Sequence, residues 1–235
     1  MMKITVYGDS IMKGVLLQEG KYIISHAWQE QLAEAFDLEI VNHSRFGCTI
    51  QKGMARIEKD CATPCAQAEY ALVEFGGNDC DFDWAAISEQ PDAPHICKTP
   101  PEQFTDCCRR AVRLLRGAGR IPVLASLPPI CAQRYFDFFC RGGLSRENIL
   151  RWLGDVERIY RWQEYYSHLV ERLAREERTA FVDLRTPFLT DTRAVTELLC
   201  EDGIHPSREG QELLRAAFAD ALQKSTDAFA RRDIA

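Results

Sequence analysis

The stretch Lys3-Ile4-Thr5-Val6-Tyr7-Gly8-Asp9-Ser10-Ile11 places four strand-forming residues directly before Gly-Asp-Ser. Ile, Thr, Val and Tyr favour an extended, half-buried chain, so Lys3–Tyr7 predicts a first strand. Gly, Asp and Ser are all turn residues, which gives Ser10 a plain reading as part of the turn that closes it. A second reading makes Ser10 a small, bare nucleophile presented at a strand end. The tripeptide alone does not choose between them.

Working outward, four more short apolar runs read as strands: Leu38–Asn42, Tyr70–Phe75, Ile121–Ser126 and Ala180–Leu184. Helical patterns lie between them. Ser25–Phe36 carries Ala27, Trp28, Leu32, Ala35 and Phe36 on one face. Glu102–Arg116 ends at Gly117 and Gly119, and Arg208–Leu222 follows Pro206 and Ser207, as helix stops and starts do. Strands alternating with helices predict right-handed βαβ units, hence a mostly parallel five-stranded α/β sheet covered on both faces. The strand order should reverse beside the first strand.

No repeat or linker divides residues 1–235, so the expectation is one domain with two insertions, 79–101 and 128–177. The first holds Asp81, Phe82, Asp83, Trp84 and His95. The second opens with Tyr135, Phe136, Phe138 and Phe139, and Gly154-Asp155 should break its long helix in two. Insertions at the carboxyl ends of strands are where such sheets shape a pocket.

A net charge of -6 gives no attraction to nucleic acid, and no apolar run approaches a membrane span. The chain enters a strand almost at once, without a signal peptide, so the expected location is cytoplasmic. In that compartment the ten cysteines are free thiols rather than a disulfide framework. Cys61 and Cys65 could begin a metal site, but the sequence holds no second close Cys or His pair at similar spacing, so no metal is expected.

The residues that follow the strands form a set. After the first comes Ser10; after the second, Asn42-His43-Ser44-Arg45-Phe46-Gly47-Cys48; after the third, Gly76-Gly77-Asn78-Asp79; after the fifth, Asp202-Gly203-Ile204-His205. A parallel sheet opens all these loops on one edge. Each alone is ordinary turn or cap chemistry. Together they meet the needs of acyl transfer, which requires a nucleophile, a base, an orienting carboxylate and oxyanion donors. Ser10 offers the hydroxyl and His205 an imidazole, a side chain whose ordinary titration falls near neutrality. Asp202, on the same turn, can fix the imidazole tautomer. The amides of Gly47 and Ser10 and the side-chain amide of Asn78 can donate to an oxyanion. No cofactor is called for.

These four blocks resemble those of the SGNH hydrolases, the GDSL-type esterases and lipases. Gly8-Asp9-Ser10 resembles the first, Gly47 the second, Gly76-Gly77-Asn78-Asp79 the third and Asp202-Gly203-Ile204-His205 the last. The resemblance implies a flavodoxin-like three-layer α/β/α sandwich, a catalytic Ser10, Asp202 and His205, and an oxyanion hole of Ser10, Gly47 and Asn78. No Gly-x-Ser-x-Gly elbow is present, against an α/β-hydrolase fold. The function that follows is hydrolysis of a small-molecule carboxylic ester. A carbohydrate O-deacetylase or acyl thioesterase would use the same residues, and a binding module on a hydrolase scaffold is the non-enzymatic alternative. Asp79, Arg134, Tyr135, Phe136 and Phe139 are expected to border the substrate pocket. Cys48, Cys80 and Cys200 lie near the site by sequence.

Overall fold

A computed structural model describes residues 1–64 and 69–232. In chain order the elements are β1 (Met2–Gly8), α1 (Ser10–Lys13), β2 (Val15–Gln18), β3 (Lys21–Ile24), α2 (Ala27–Phe36), β4 (Leu38–Asn42), α3 (Ile50–Cys61), β5 (Glu69–Glu74) and α4 (Trp84–Glu89). Then come α5 (Pro101–Gly117), β6 (Arg120–Ala125), α6 (Ala132–Cys140), α7 (Arg146–Leu153), α8 (Glu157–Glu176), β7 (Ala180–Val182), α9 (Thr186–Thr190), α10 (Val195–Leu198) and α11 (Arg208–Arg232).

Five strands pair in the order β4-β1-β5-β6-β7, every pair parallel. β1 aligns Met2 with Leu38 on one side and Gly8 with Glu74 on the other. The chain leaves β1 towards one edge, returns, and continues towards the other, so the order reverses beside β1. That reversal splays the loops after β1 and β5 apart and opens a crevice at their carboxyl ends.

Alternation along the strands feeds two cores. Tyr7, Ala71, Val73 and Leu124 pack with Ile57, Val112, Leu115 and Leu169 of α3, α5 and α8. Val6, Leu72, Ala125 and Val182 point the other way, to Trp28 and Leu32 of α2 and Leu214 and Phe218 of α11. The result is a three-layer α/β/α sandwich. Among the described residues no helix is long and apolar enough to cross a membrane.

A third apolar cluster joins Trp84 and Ile87 of α4, Phe136 of α6, Ile149 and Leu153 of α7, and Ile159 of α8. The expected break between α7 and α8 falls at Gly154, whose φ of 73° ends the helix. Phe136 is a correction. It is 1% exposed in this cluster, with the Arg146 guanidinium 4.5 Å from its ring centroid, and does not face the pocket. Phe136→Ala should therefore cost about 3–5 kcal/mol in chemical denaturation, the cost of a cavity at a well-packed aromatic. A loss under about 1 kcal/mol would contradict this placement.

The β2–β3 hairpin was not expected. It stands outside the main sheet, turned by Glu19 and Gly20 at φ 51° and 72°. Positive φ at both central residues is the geometry of a tight two-residue hairpin turn. Leu16 and Leu17 hold the hairpin against Cys200 and Phe138, and the Leu17 amide donates to the Cys200 sulfur at 3.4 Å.

Candidate active site

β1 delivers Ser10 to the sheet's carboxyl edge as the first residue of α1. Asp9 caps that turn by accepting from the Ile11 amide at 2.9 Å. Across the crevice, the loop before α11 supplies Asp202 and His205. Gly203 permits the tight turn between them: its φ is 75°, and a Cβ there would fall 2.7 Å from the Cys131 carbonyl oxygen. Asp202 Oδ1 accepts from the amides of Ile204 and His205, both at 3.1 Å. Oδ2 lies 2.6 Å from His205 Nδ1, and Nε2 lies 2.9 Å from Ser10 Oγ.

In the neutral imidazole this geometry has Nδ1–H donating to Asp202 and the Ser10 hydroxyl donating to Nε2. Burial raises the Asp202 carboxyl, but its bond to His205, the imidazole charge and the two amides outweigh that and hold it below the usual carboxylate value. The imidazole can thus take a proton from Ser10 while an ionised carboxylate steadies it.

On the other side of Ser10, Gly47 and Asn78 come from the loops after β4 and β5. Gly47 sits at φ 66° with open space beside it. The Ser10 and Gly47 amides have no hydrogen-bond acceptor among the described residues, and Asn78 Nδ2 donates to Asp9 Oδ2 at 3.0 Å. That bond occupies one amide hydrogen and aims the other. Three N–H groups are thus available beside the hydroxyl for a developing negative charge.

Beneath them lies a group of buried acids that sequence reading missed. Burial raises Asp9 to about 6, against the Ile11 amide, His205 and Asn78, which lower it. Burial raises Asp79 to about 7. Glu74 is raised well above its ordinary value by burial and then by the charges of Asp9 and Asp79. Its carboxyl oxygens are sealed from solvent, and a hydrogen bond from the Asp9 amide only partly offsets the rise. Asp79 corrects a second expectation: it is fully buried away from the pocket, where its carboxylate accepts from the Ile50 amide at the start of α3.

Acids with raised values in the fold keep protons that the unfolded chain has lost. Their contribution to stability is complete below about pH 4 and disappears as pH rises through the folded values. The melting temperature should therefore fall between about pH 5 and pH 8, and Asp79→Asn should flatten the slope. A melting temperature that rises over this range, with no change of slope in the variant, would refute the assignment.

A cavity of about 300 Å³ opens over Ser10, His205, Gly47 and Asn78. Residues of both insertions line it, among them Phe82, Trp84, Tyr135, Phe139 and Trp162. Of the four aromatic and basic residues suggested from the second insertion, Tyr135 and Phe139 lie on the cavity wall. The Tyr135 hydroxyl donates to Asp81 at 2.9 Å, and Phe139 stacks on Trp84 with centroids 4.5 Å apart. Arg134 does not line it. Its guanidinium donates to the carbonyls of Thr196 at 2.7 Å and Leu199 at 3.2 Å, tying α6 to the segment before Asp202. The rings of Tyr22 and Phe46 were missed as pocket residues. Tyr22 comes from the unforeseen hairpin, and Phe46 immediately precedes Gly47.

Burial pushes the thiols of Cys48, Cys80 and Cys200 up, so they are protonated packing groups rather than nucleophiles. Of the suggested Cys61–Cys65 pair, Cys65 lies outside the described residues. Among the described residues no cluster of three His, Cys, Asp or Glu is placed to hold a metal ion.

This fold and this edge of the sheet define an α/β hydrolytic scaffold. The family model for the GDSL-like lipase/acylhydrolase family matches residues 6–213, and the chain belongs to that family of ester-hydrolysing enzymes. An arylesterase of Vibrio mimicus is 24% identical over 231 residues, covering 94% of this chain and 88% of that protein. Among solved structures, a lipase/acylhydrolase from Enterococcus faecalis superposes with a TM-score of 0.64 at 17% identity, covering 96% of this chain and 97% of the other. An acetylxylan esterase from Geobacillus stearothermophilus gives 0.63 at 19% identity, with 94% and 93% covered.

Proposed function

We propose that the protein is a serine carboxylesterase that forms an acyl-enzyme on Ser10. The observation that carries this reading is the unbroken line from the Ser10 hydroxyl to His205 Nε2 at 2.9 Å and from Nδ1 to Asp202 at 2.6 Å. Ser10 Oγ attacks the ester carbon as its proton passes to Nε2. The carbonyl oxygen takes up negative charge facing the amides of Ser10 and Gly47 and the Asn78 side chain. Nε2 then returns the proton to the leaving alcohol oxygen as the C–O bond breaks. Water repeats the sequence to release the acid. The ionised Asp202 balances the imidazolium formed in each half-reaction.

The mostly aromatic and aliphatic cavity walls favour an apolar acyl group over a sugar, which would need polar partners for its hydroxyls. An ester of an apolar acid and alcohol therefore suits the site better than an acetylated carbohydrate. The test is a fluorophosphonate probe, which labels only an activated serine. Wild-type protein should be labelled on Ser10, and wild-type protein left unlabelled while it hydrolyses esters would end the reading.

A further inference from the structure

The cavity is walled by two separate aromatic groups. Phe82, Trp84, Tyr135, Phe139 and Trp162 form one connected set under the insertions, with Trp152 behind Phe82 and off the wall. Tyr22, Phe46 and His205 form the other. Phe46 stacks on the imidazole with centroids 5.8 Å apart and planes at 19°, and Tyr22 meets it edge-on at 5.3 Å. Tyr22 and Phe46 are themselves 5.1 Å apart and tilted at 60°. Among the described residues no ring contact joins the two sets. In this group His205 is buried, while the two rings beside it are open: Tyr22 is 44% and Phe46 53% exposed.

The chemistry of acyl transfer assigns the two ends. On the proposed reading, the ester carbon must lie against Ser10 Oγ and its carbonyl oxygen against the amides of Ser10, Gly47 and Asn78. The leaving oxygen must then lie at His205 Nε2, because that nitrogen supplies its proton. Whatever is attached to that oxygen starts beside the imidazole, within reach of the two rings that flank it. The acyl chain leaves the carbonyl carbon in the other direction, towards the Trp84 and Trp162 set.

We propose that Tyr22 and Phe46 form the leaving-group subsite and select esters whose alcohol half is a flat aromatic ring. This rests on the esterase reading given above. The tilted pair leaves a third ring both a face and an edge to pack on, the two arrangements aromatic pairs prefer at centroid separations of about 4.5–7 Å. The Tyr22 hydroxyl is engaged with Asp202 and Phe46 has no polar atom on its ring, so the pair offers no hydrogen-bonding cradle of the kind a sugar alcohol needs. A flexible aliphatic alcohol would gain the contact area without the ring geometry, and would lose more conformational freedom in taking it up.

The test holds one half of the ester fixed while the other changes. Phenyl acetate and ethyl acetate share the acyl group; p-nitrophenyl acetate, butyrate and hexanoate share the leaving group. In Phe46→Ala, and in Phe46→Leu as a milder variant, the ratio of kcat/KM for phenyl acetate to that for ethyl acetate should fall about tenfold from its wild-type value. Tyr22→Ala should lower the same ratio, and Tyr22→Phe should restore it, because the ring rather than the hydroxyl does the selecting. The order of preference among the three p-nitrophenyl esters should stay as in wild type. If both acetates fall in equal proportion, the rings only shelter His205 and the proposal fails. A changed acyl-length order with a constant phenyl-to-ethyl ratio would place these rings on the acyl side and overturn it equally. Failure of the underlying reading has a separate signature, undiminished hydrolysis of both acetates by Ser10→Ala, and the subsite would fall with it.

Discussion

Ser10→Ala should lower kcat by about 10⁶-fold while the protein stays folded. The size follows from the way a nucleophile, base and carboxylate act as one unit: removing the nucleophile leaves only what binding and the oxyanion donors supply. The structural cost is small for a specific reason. The Ser10 side chain makes one hydrogen bond, to His205 Nε2, and the main chain that positions it is held by Asp9 capping α1. Loss of that bond costs about 1 kcal/mol. Asp9, Asn78 and Asp202 keep their contacts. The measurement is turnover of a p-nitrophenyl ester beside a melting curve. Probe labelling of Ser10 should vanish with turnover. A folded Ser10→Ala protein with wild-type esterase activity would remove Ser10 from the mechanism and the proposed function with it.

Most of the sheet was legible because each buried strand states its pattern locally. Leu38–Asn42 is the same five residues in both readings, and Lys3–Tyr7 grew only to Met2–Gly8. The residues that gather at the sheet's edge were legible for a related reason. In a parallel sheet the loop after each strand must open on the same side, so chain order alone brings Ser10, Gly47, Asn78 and His205 together. The β2–β3 hairpin was hidden because Lys21–Ile24 is exposed throughout and shows no alternation. Its turn, Glu19-Gly20, also lacks the Asn-Gly or Asp-Gly signature.

The pocket wall depends on distant packing, which no local pattern records. Tyr135, Phe136 and Phe139 share one helix, yet the position of α7 decides which ring is core. Ile149, Leu153 and the Arg146 guanidinium claim Phe136, while Tyr135 and Phe139 are left to the cavity. Arg134 and Asp79 were misread in the same way. A charged residue close to a site in sequence proved to be part of the frame that holds the site's loops.

Asp202→Asn should lower kcat by about 10⁴-fold with little change in KM, although the replacement is nearly isosteric. The argument is one of hydrogen-bond direction. Asp202 Oδ1 already accepts two amide protons, from Ile204 and His205 at 3.1 Å each. An asparagine has one acceptor oxygen, and those two amides hold it there. Its NH₂ group must then occupy the place of Oδ2, which in the native site lies 2.6 Å from His205 Nδ1. Two N–H groups cannot face each other in a site where Asp202 is fully buried and His205 2% exposed. The imidazole therefore moves its proton to Nε2 and turns a bare Nδ1 to the amide. Nε2–H now points at Ser10 Oγ and can no longer accept its proton, so the base is lost while every atom stays near its place. Asp202→Ala, which leaves Nδ1–H unpaired instead of forcing the wrong tautomer, should retain more activity at some cost in stability. The Asn variant within tenfold of wild type, or indistinguishable from the Ala variant, would mean that Asp202 does not set the tautomer of His205.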